Sequence, residues 1–324
     1  MAAFLVRRLI QGIVVVALVT TIVFVLIHLA PGDPFASAVS NPSITESIRA
    51  SWRHAYGLDR PLGEQYLRYV ANVFRGDLGF SFSLQRPVAA VLADALPNTI
   101  LLMLLGLIAG FALGIAVAIA QVRNRGKALD KFLGGVSLTF FAVPDFWLAL
   151  LLLVSLAYWV PIFPIGGATN PVMYDTFSPA EQVWDRARHV ILPAATLALL
   201  YFPVIARHQR AALADALPSD YVTTARAKGV SEKTLIRRHA LRNALLPIVT
   251  LLGIALPGLL TGAVFVERVF SWPGMGSVIV NSIHSRDYPL LTACVILGSA
   301  FVVAGSVIAD VLYRLLDPRL RDER

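Results

Sequence analysis

The sequence is poor in charge and almost without cysteine. Of its 324 residues only 15% are Asp, Glu, Lys or Arg, where a soluble chain carries about a quarter. The single cysteine, Cys294, excludes an internal disulfide framework, and no Cys/His spacing suits a zinc site. The phosphate-cradling pattern G-x-x-x-x-G-K-[ST] is missing: Gly229-Val230-Ser231-Glu232-Lys233-Thr234 ends in Lys-Thr but lacks the second glycine. HExxH and GxSxG are missing as well. The chain is therefore not expected to hydrolyse ATP or to be an enzyme, and energy for uphill work must come from a partner or an ion gradient.

What fills the sequence instead is hydrocarbon. Apolar residues make up 57% of it, and the mean hydropathy is +0.69. Six stretches are long and nearly free of charge: Leu9–Leu29, Thr99–Ala120, Phe132–Val160, Val190–Ala206, Ala244–Val266 and Leu290–Ala309. Each approaches the roughly 20 residues that cross a hydrocarbon core about 30 Å thick, and helices are the default there because they satisfy their own backbone. Pro144, near the middle of the third stretch, gives that span a reason to bend. The first stretch exceeds a usual signal-peptide core, and His28-Leu29-Ala30 is a poor cleavage site, so an uncleaved span is expected.

Charge sets the orientation. With the N-terminus inside, the inner segments hold 18 of the 28 Lys and Arg and the outer segments 10. The positive-inside rule then places both termini in the cytoplasm. The formal charge of +8 is a consequence of topology, and nucleic-acid binding is not needed to explain it.

Two segments outside the spans carry pattern. In the outer segment, Ala30–Pro97, Ile44, Ile48, Trp52 and Tyr56 recur at helical spacing, as do Leu62, Tyr66, Tyr69, Val70, Val73 and Phe74. Val88, Val91, Leu92 and Ala95 suggest a third short helix lying on the membrane before Pro97. A helical cap packed on the spans is favoured over an independent binding domain. In the inner segment, Arg207–Asn243, Pro218-Ser219-Asp220 is a helix-start signal and Gly229 suits a left-handed position just past a helix end. Ser231 then caps a second helix through Arg242, giving a helix, a glycine corner and a helix in one compact knob. A plain basic loop serving topology is the bland alternative.

Three further features admit two readings each. Asp145 either caps the second half of a helix broken at Pro144 or is a coupling group of an ion-driven transporter. Pro257 and Gly258 make the fifth span either a deformable, pathway-lining helix or a closely packed one. Trp272-Pro273-Gly274 is either a re-entrant loop reaching the pathway or a tight outer turn with an interfacial Trp.

The inner motif resembles the cytoplasmic E-A-A-x₃-G-x₉-I-x-L-P loop of binding-protein-dependent ABC importer permeases. Thr223, Thr224 and Ala225 fall on E-A-A, Gly229 on the glycine, and His239-Ala240-Leu241-Arg242 on I-x-L-P, with identity only at Ala225, Gly229 and Leu241. The run Tyr221-Val222-x-Thr224-Ala225-Arg226-Ala227-Lys228-Gly229 is similar to the peptide and nickel importer branch. Ala30-Pro31-Gly32-Asp33-Pro34, Gly76-Asp77-Leu78-Gly79, Trp272-Pro273-Gly274, Arg286-Asp287-Tyr288-Pro289 and Asp317-Pro318-Arg319 resemble its B-type permeases. Ser306 stands where that branch usually has Asn.

The resemblance implies an all-α polytopic membrane protein with six transmembrane helices in the type I ABC importer permease fold, in a bacterial plasma membrane. Residues 1–94 would form the first span with the outer segment, 95–317 the permease core with its coupling loop at about 218–243, and 318–324 a cytoplasmic tail. The implied substrate is a peptide, with nickel or another small solute as the alternative within the family and an ion-coupled transporter outside it. Implied partners are a second related permease, two cytoplasmic ATPases that bind ATP and Mg, an extracytoplasmic substrate-binding protein and membrane lipid. This chain itself would bind no cofactor or metal. The ATPase-coupling residues implied are Tyr221, Thr223, Thr224, Ala225, Arg226, Ala227, Lys228, Gly229 and Leu241. Pathway candidates are Pro144, Asp145, Pro257, Gly258, Trp272 and Pro273.

Overall fold

A computed structural model describes residues 2–29, 60–255 and 263–316. The helical reading around Ile44–Tyr56, the candidates Pro257 and Gly258, and the tail from residue 318 lie outside the described residues. What is described is almost wholly helical. Helix α1 covers Ala2–Leu29, α2 Leu62–Phe74, α3 Val88–Arg123, α4 Ala128–Ala142, α5 Asp145–Leu153 and α6 Pro179–Ala216. Then come α7 (Asp220–Ala227), an irregular helical run over Glu232–Ala244, α8 (Leu246–Ala255), α9 (Val264–Val269), α10 (Met275–His284) and α11 (Tyr288–Leu316). One two-stranded hairpin, β1 (Phe80–Ser81) with β2 (Arg86–Pro87), leads into α3.

Four helices among the described residues are long and apolar enough to cross a membrane: Val6–Leu26 within α1, then α3, α6, and Tyr288–Ile308 within α11. A fifth candidate span is broken. Ala128–Ala142 and Asp145–Trp159 meet at 104°, so the bend expected at Pro144 is a corner rather than a gentle curve. Pro144 has no N–H to continue the first arm, and Val143 before it is extended (ψ 131°), as a residue preceding proline prefers. The stretch expected as the fifth span is described only at its two ends, α8 and α9.

Two expected boundaries are corrected. The short helix at Val88–Ala95 is not a separate element on the membrane: it forms the first turns of α3, which runs through Pro97 without interruption. Pro97 costs one backbone bond and does not end the helix; beside it, the Asn98 side chain donates to the Asp94 carbonyl at 3.1 Å. The span expected at Val190–Ala206 is likewise the middle of α6, which has 38 residues and takes Pro193 and Pro203 in its interior. At about 1.5 Å per residue both helices outrun a hydrocarbon core about 30 Å thick, so their ends stand outside it.

The described residues form two compact units, Met1–Asn98 with Gly274–Ala304 and Thr99–Pro273 with Gly305–Arg324. In the first, α2 lays Tyr66 and Tyr69 against Phe24 of α1, with ring centroids 5.3 and 5.7 Å apart. The Tyr66 and Thr21 hydroxyls bond at 2.7 Å. Asp287, fully buried at the start of α11, ties the hairpin down. Its Oδ2 accepts from Ser81 Oγ (2.6 Å), Ser83 Oγ (2.6 Å) and the Ser83 N–H (3.0 Å). A buried carboxylate is tolerated only with such donors around it.

In the second unit α3 and α6 pack along a glycine stripe. A Cβ on Gly106 would lie 2.6 Å from Leu197 Cβ, one on Gly110 2.9 Å from Tyr201 Cβ, and one on Gly114 2.6 Å from Ile205 Cβ. Glycines spaced by four meet residues spaced by four, so the helices run parallel with their backbones in close approach. Around this seam Leu102, Met103, Ala149, Leu197, Val266, Phe270 and Trp272 form the core.

Candidate functional site

The knob predicted from the inner motif exists. Ser219 is the N-cap of α7, with extended backbone (φ −67°, ψ 153°), and the helix ends at Lys228. Gly229 follows with φ +77°. Its N–H donates to the Arg226 carbonyl at 3.0 Å, and the Val230 N–H donates to the Ala225 carbonyl at 3.3 Å. These two bonds are the paired closure of a helix whose next residue is left-handed, a conformation that suits glycine. Val230 then packs back over Ala225.

Burial divides the predicted coupling residues into two groups. Ala225 is buried with Val222, one helical turn apart on the same face, and Leu241 packs against the same cluster. That cluster includes Ala118 of α3, Leu213 of α6, and Leu235, Ile236 and Ala240 of the following run, so the knob is seated on the ends of two long helices. Tyr221, Thr223, Thr224, Arg226, Ala227, Lys228 and Gly229 are exposed. Thr223 and Thr224 turn their hydroxyls back onto the Ser219 and Asp220 carbonyls at 3.1 and 2.8 Å. The exposed part of α7 and its end is thus built from a phenol ring, small side chains and two cations, Arg226 and Lys228.

The second helix starts after Ser231 as predicted, but it is not regular. Leu235–Ala240 is π-helical, and Leu241–Ala244 returns to α. Ser231 sits at the N-cap position but its hydroxyl accepts no bond from the backbone; it donates to Thr234 Oγ1 at 3.0 Å. Arg226 pairs within the chain, its Nε donating to Glu232 Oε1 at 2.8 Å across the glycine corner. Arg237, Arg238 and Arg242 are exposed.

The pathway candidates are scattered. Pro144 and Asp145 are exposed at the corner between α4 and α5. Pro144, not Asp145, is the N-cap residue of α5; Asp145 is the first helical residue and makes no capping bond through its side chain. Its charge still lies at the positive end of the helix. Trp272 is fully buried in the core of the second unit, which corrects the reading of an interfacial Trp. Its backbone N–H donates to the Glu267 carbonyl at 2.8 Å, while Pro273 is exposed.

Sequence reasoning passed over two polar ties near these features. Glu267, fully buried beside Trp272, accepts from Thr99 Oγ1 at 2.6 Å. Asp130, buried in the first turn of α4, accepts from the Gly126 N–H at 3.1 Å and from Arg210 Nη2 at 3.0 Å. The second tie anchors the turn after α3 to α6 one helical turn from Leu213 under the knob. Nothing local in the sequence links residues 80 positions apart.

Long apolar helices, a broken span and a small helical knob define a polytopic membrane protein. The chain belongs to the family of binding-protein-dependent transport system inner membrane components, which it matches over residues 110–322, with the family's N-terminal region matching over residues 1–103. It is 36% identical over 321 residues to the oligopeptide transport system permease protein AppB of Bacillus subtilis, covering 99% of each chain. It is 36% identical over 339 residues to the di/tripeptide transport system permease protein DppB of Pseudomonas aeruginosa, covering 100% of each. The glutathione transport system permease protein GsiC of Salmonella paratyphi A is 35% identical over 321 residues, with 99% of each chain covered. The protein is therefore a permease component of the inner membrane.

Proposed function

We propose that this chain is one of two transmembrane subunits of an ATP-driven peptide importer. It crosses the membrane six times with both termini cytoplasmic and pairs with a second, related permease to enclose the route. Two cytoplasmic ATPases bind ATP and Mg; an extracytoplasmic binding protein delivers substrate. The chain itself binds neither nucleotide nor metal. Peptide as cargo is supported by the full-length likeness to permeases named for oligopeptides, di/tripeptides and glutathione, itself a small peptide.

The observation that carries the coupling role is the glycine corner. Because α7 is closed at Gly229 and seated through Val222 and Ala225 on the ends of α3 and α6, a push on its exposed face moves two long helices with it. ATP-driven closure of the ATPases would then rock this subunit against its sister between two packings, opening the route to one side at a time. The family pattern's acidic first position is Thr223 here, so docking rests on shape and small apolar groups more than on charge.

The test is reconstitution. In vesicles holding both permeases, the ATPases and the binding protein, radiolabelled di- to pentapeptides should accumulate on ATP with no proton gradient. This chain purified alone should show no ATPase activity above background. Uptake that persists without the ATPases and collapses with a protonophore would refute the proposal and return attention to Asp145.

A further inference from the structure

We propose that the first unit holds one phospholipid by an acyl chain, in a slot between α1 and α11 closed over by α2. The slot has a volume of about 240 Å³. Its lining is aliphatic but for two aromatic rings, Phe74 and Tyr66, and two hydroxyls, those of Thr20 and Tyr66. Both hydroxyls are already engaged: Thr20 Oγ1 donates to the Val16 carbonyl at 2.7 Å, and Tyr66 OH bonds Thr21 Oγ1 at 2.7 Å. Water or a polar side chain entering would find few partners, since the rest of the lining is hydrocarbon. Apolar cavities of this size stay dry and take hydrocarbon.

The volume of the slot selects a single chain. At Gly12 α1 rests directly on Val303 of α11, so the slot is closed there and the chain lies beside this contact, under α2. A space of about 240 Å³ is too small for a helix of a sister subunit, whose diameter with side chains is about 10–12 Å, and is of the size of one alkyl segment. The outward face of α1 carries exposed Leu18 and Ile22, 56% and 48% exposed, so hydrocarbon surrounds the slot. Charge complementarity selects the headgroup: Arg7 and Arg8 lie on α1 directly before Leu9, at one end of the slot. A basic pair at the rim of an apolar slot suits an anionic phospholipid.

The intact importer, reconstituted in phosphatidylethanolamine with phosphatidylglycerol carrying a photoactivatable acyl tail, provides the test. Photolysis should place adducts on Val16, Ala17 and Val303 as well as on outward Leu18 and Ile22. Ala17→Phe, which fills the slot, should remove the first group of adducts and leave the second. Arg7→Gln with Arg8→Gln should lower the preference for phosphatidylglycerol over phosphatidylcholine at the slot by about fivefold per arginine. Adducts confined to Leu18 and Ile22, an unchanged headgroup preference, or cross-linking of the slot to the sister permease would each overturn the proposal. Should Ala17→Phe fail to accumulate, the adduct map of the unmodified protein decides alone.

Discussion

The Val230 N–H reaches back to the Ala225 carbonyl at 3.3 Å, and this bond exists because Gly229 between them is left-handed at φ +77°. No atom lies within 4 Å of a Cβ built on Gly229. The position therefore restricts side chains through backbone conformation alone, at roughly 1–2 kcal/mol for an ordinary L-residue. Gly229→Asn should be the mildest change, Gly229→Ala intermediate and Gly229→Val the most severe, with membrane levels near normal in all three. Transport and ATPase co-purification, measured across the series, should fall in that order. Equal activity of the Asn and Val variants would remove the corner from the coupling path.

Along the α3–α6 seam the limit is space. Gly110→Leu must displace Tyr201 Cβ and the Ala198 carbonyl, which a Cβ would approach to 2.9 and 3.2 Å; overpacking of this kind costs about 1–3 kcal/mol or more. The detergent-solubilised complex should melt at a lower temperature, and less of it should reach the membrane. Gly135→Leu, where nothing lies within 4 Å, should match the unmodified protein in the same melting experiment.

The Asp287 clamp predicts a graded response. Asp287→Ala strips Ser81 and Ser83 of a shared acceptor in a buried site, at about 1.5–3 kcal/mol per charge-assisted bond. Limited proteolysis from the outer face should then cut near Gly76–Gly79. Ser81→Ala should be much milder, because Asp287 keeps both Ser83 donors and the Leu290 N–H. Identical cleavage of the two variants would show that the hairpin is held by other contacts.

Much of this was legible in the sequence, because the signals are local. A helix-start signal, Pro218-Ser219-Asp220, and a glycine nine residues after Asp220 specify a corner through backbone sterics alone, and the corner is present. Pro144 was readable as a break for the same reason. Pro97 was misleading because a proline can end a helix or be absorbed by one, and tertiary packing decides which. The seam at Gly106, Gly110 and Gly114 depends on Leu197, Tyr201 and Ile205, far along the chain, and spacing within one helix does not name its partner. Trp272 looked interfacial because tryptophan favours that zone; its burial depends on a core shared with Leu102, Ala149 and Leu197, which come from distant parts of the chain. The Asp130–Arg210 and Asp287–Ser81 ties join residues far apart in sequence, and no periodicity reports such pairs.

Topology can be tested with little background, since Cys294 is buried. A cysteine at Thr176 should react with an impermeant maleimide in intact cells, and one at Ser231 only after the membrane is opened. Labelling of Ser231→Cys in intact cells would reverse the orientation and detach the knob from any cytoplasmic ATPase.

Tyr221, in the first turn of α7, is 41% exposed at the edge of the buried Val222–Ala225 side. A photo-crosslinking residue placed there in the assembled importer measures what the knob touches. It should capture an ATPase subunit, with a yield that changes when ATP is bound, while the same probe at outward-facing Phe265, 60% exposed, should capture none. A Tyr221 probe that captures no ATPase in an importer competent for uptake would contradict the coupling role assigned to this chain.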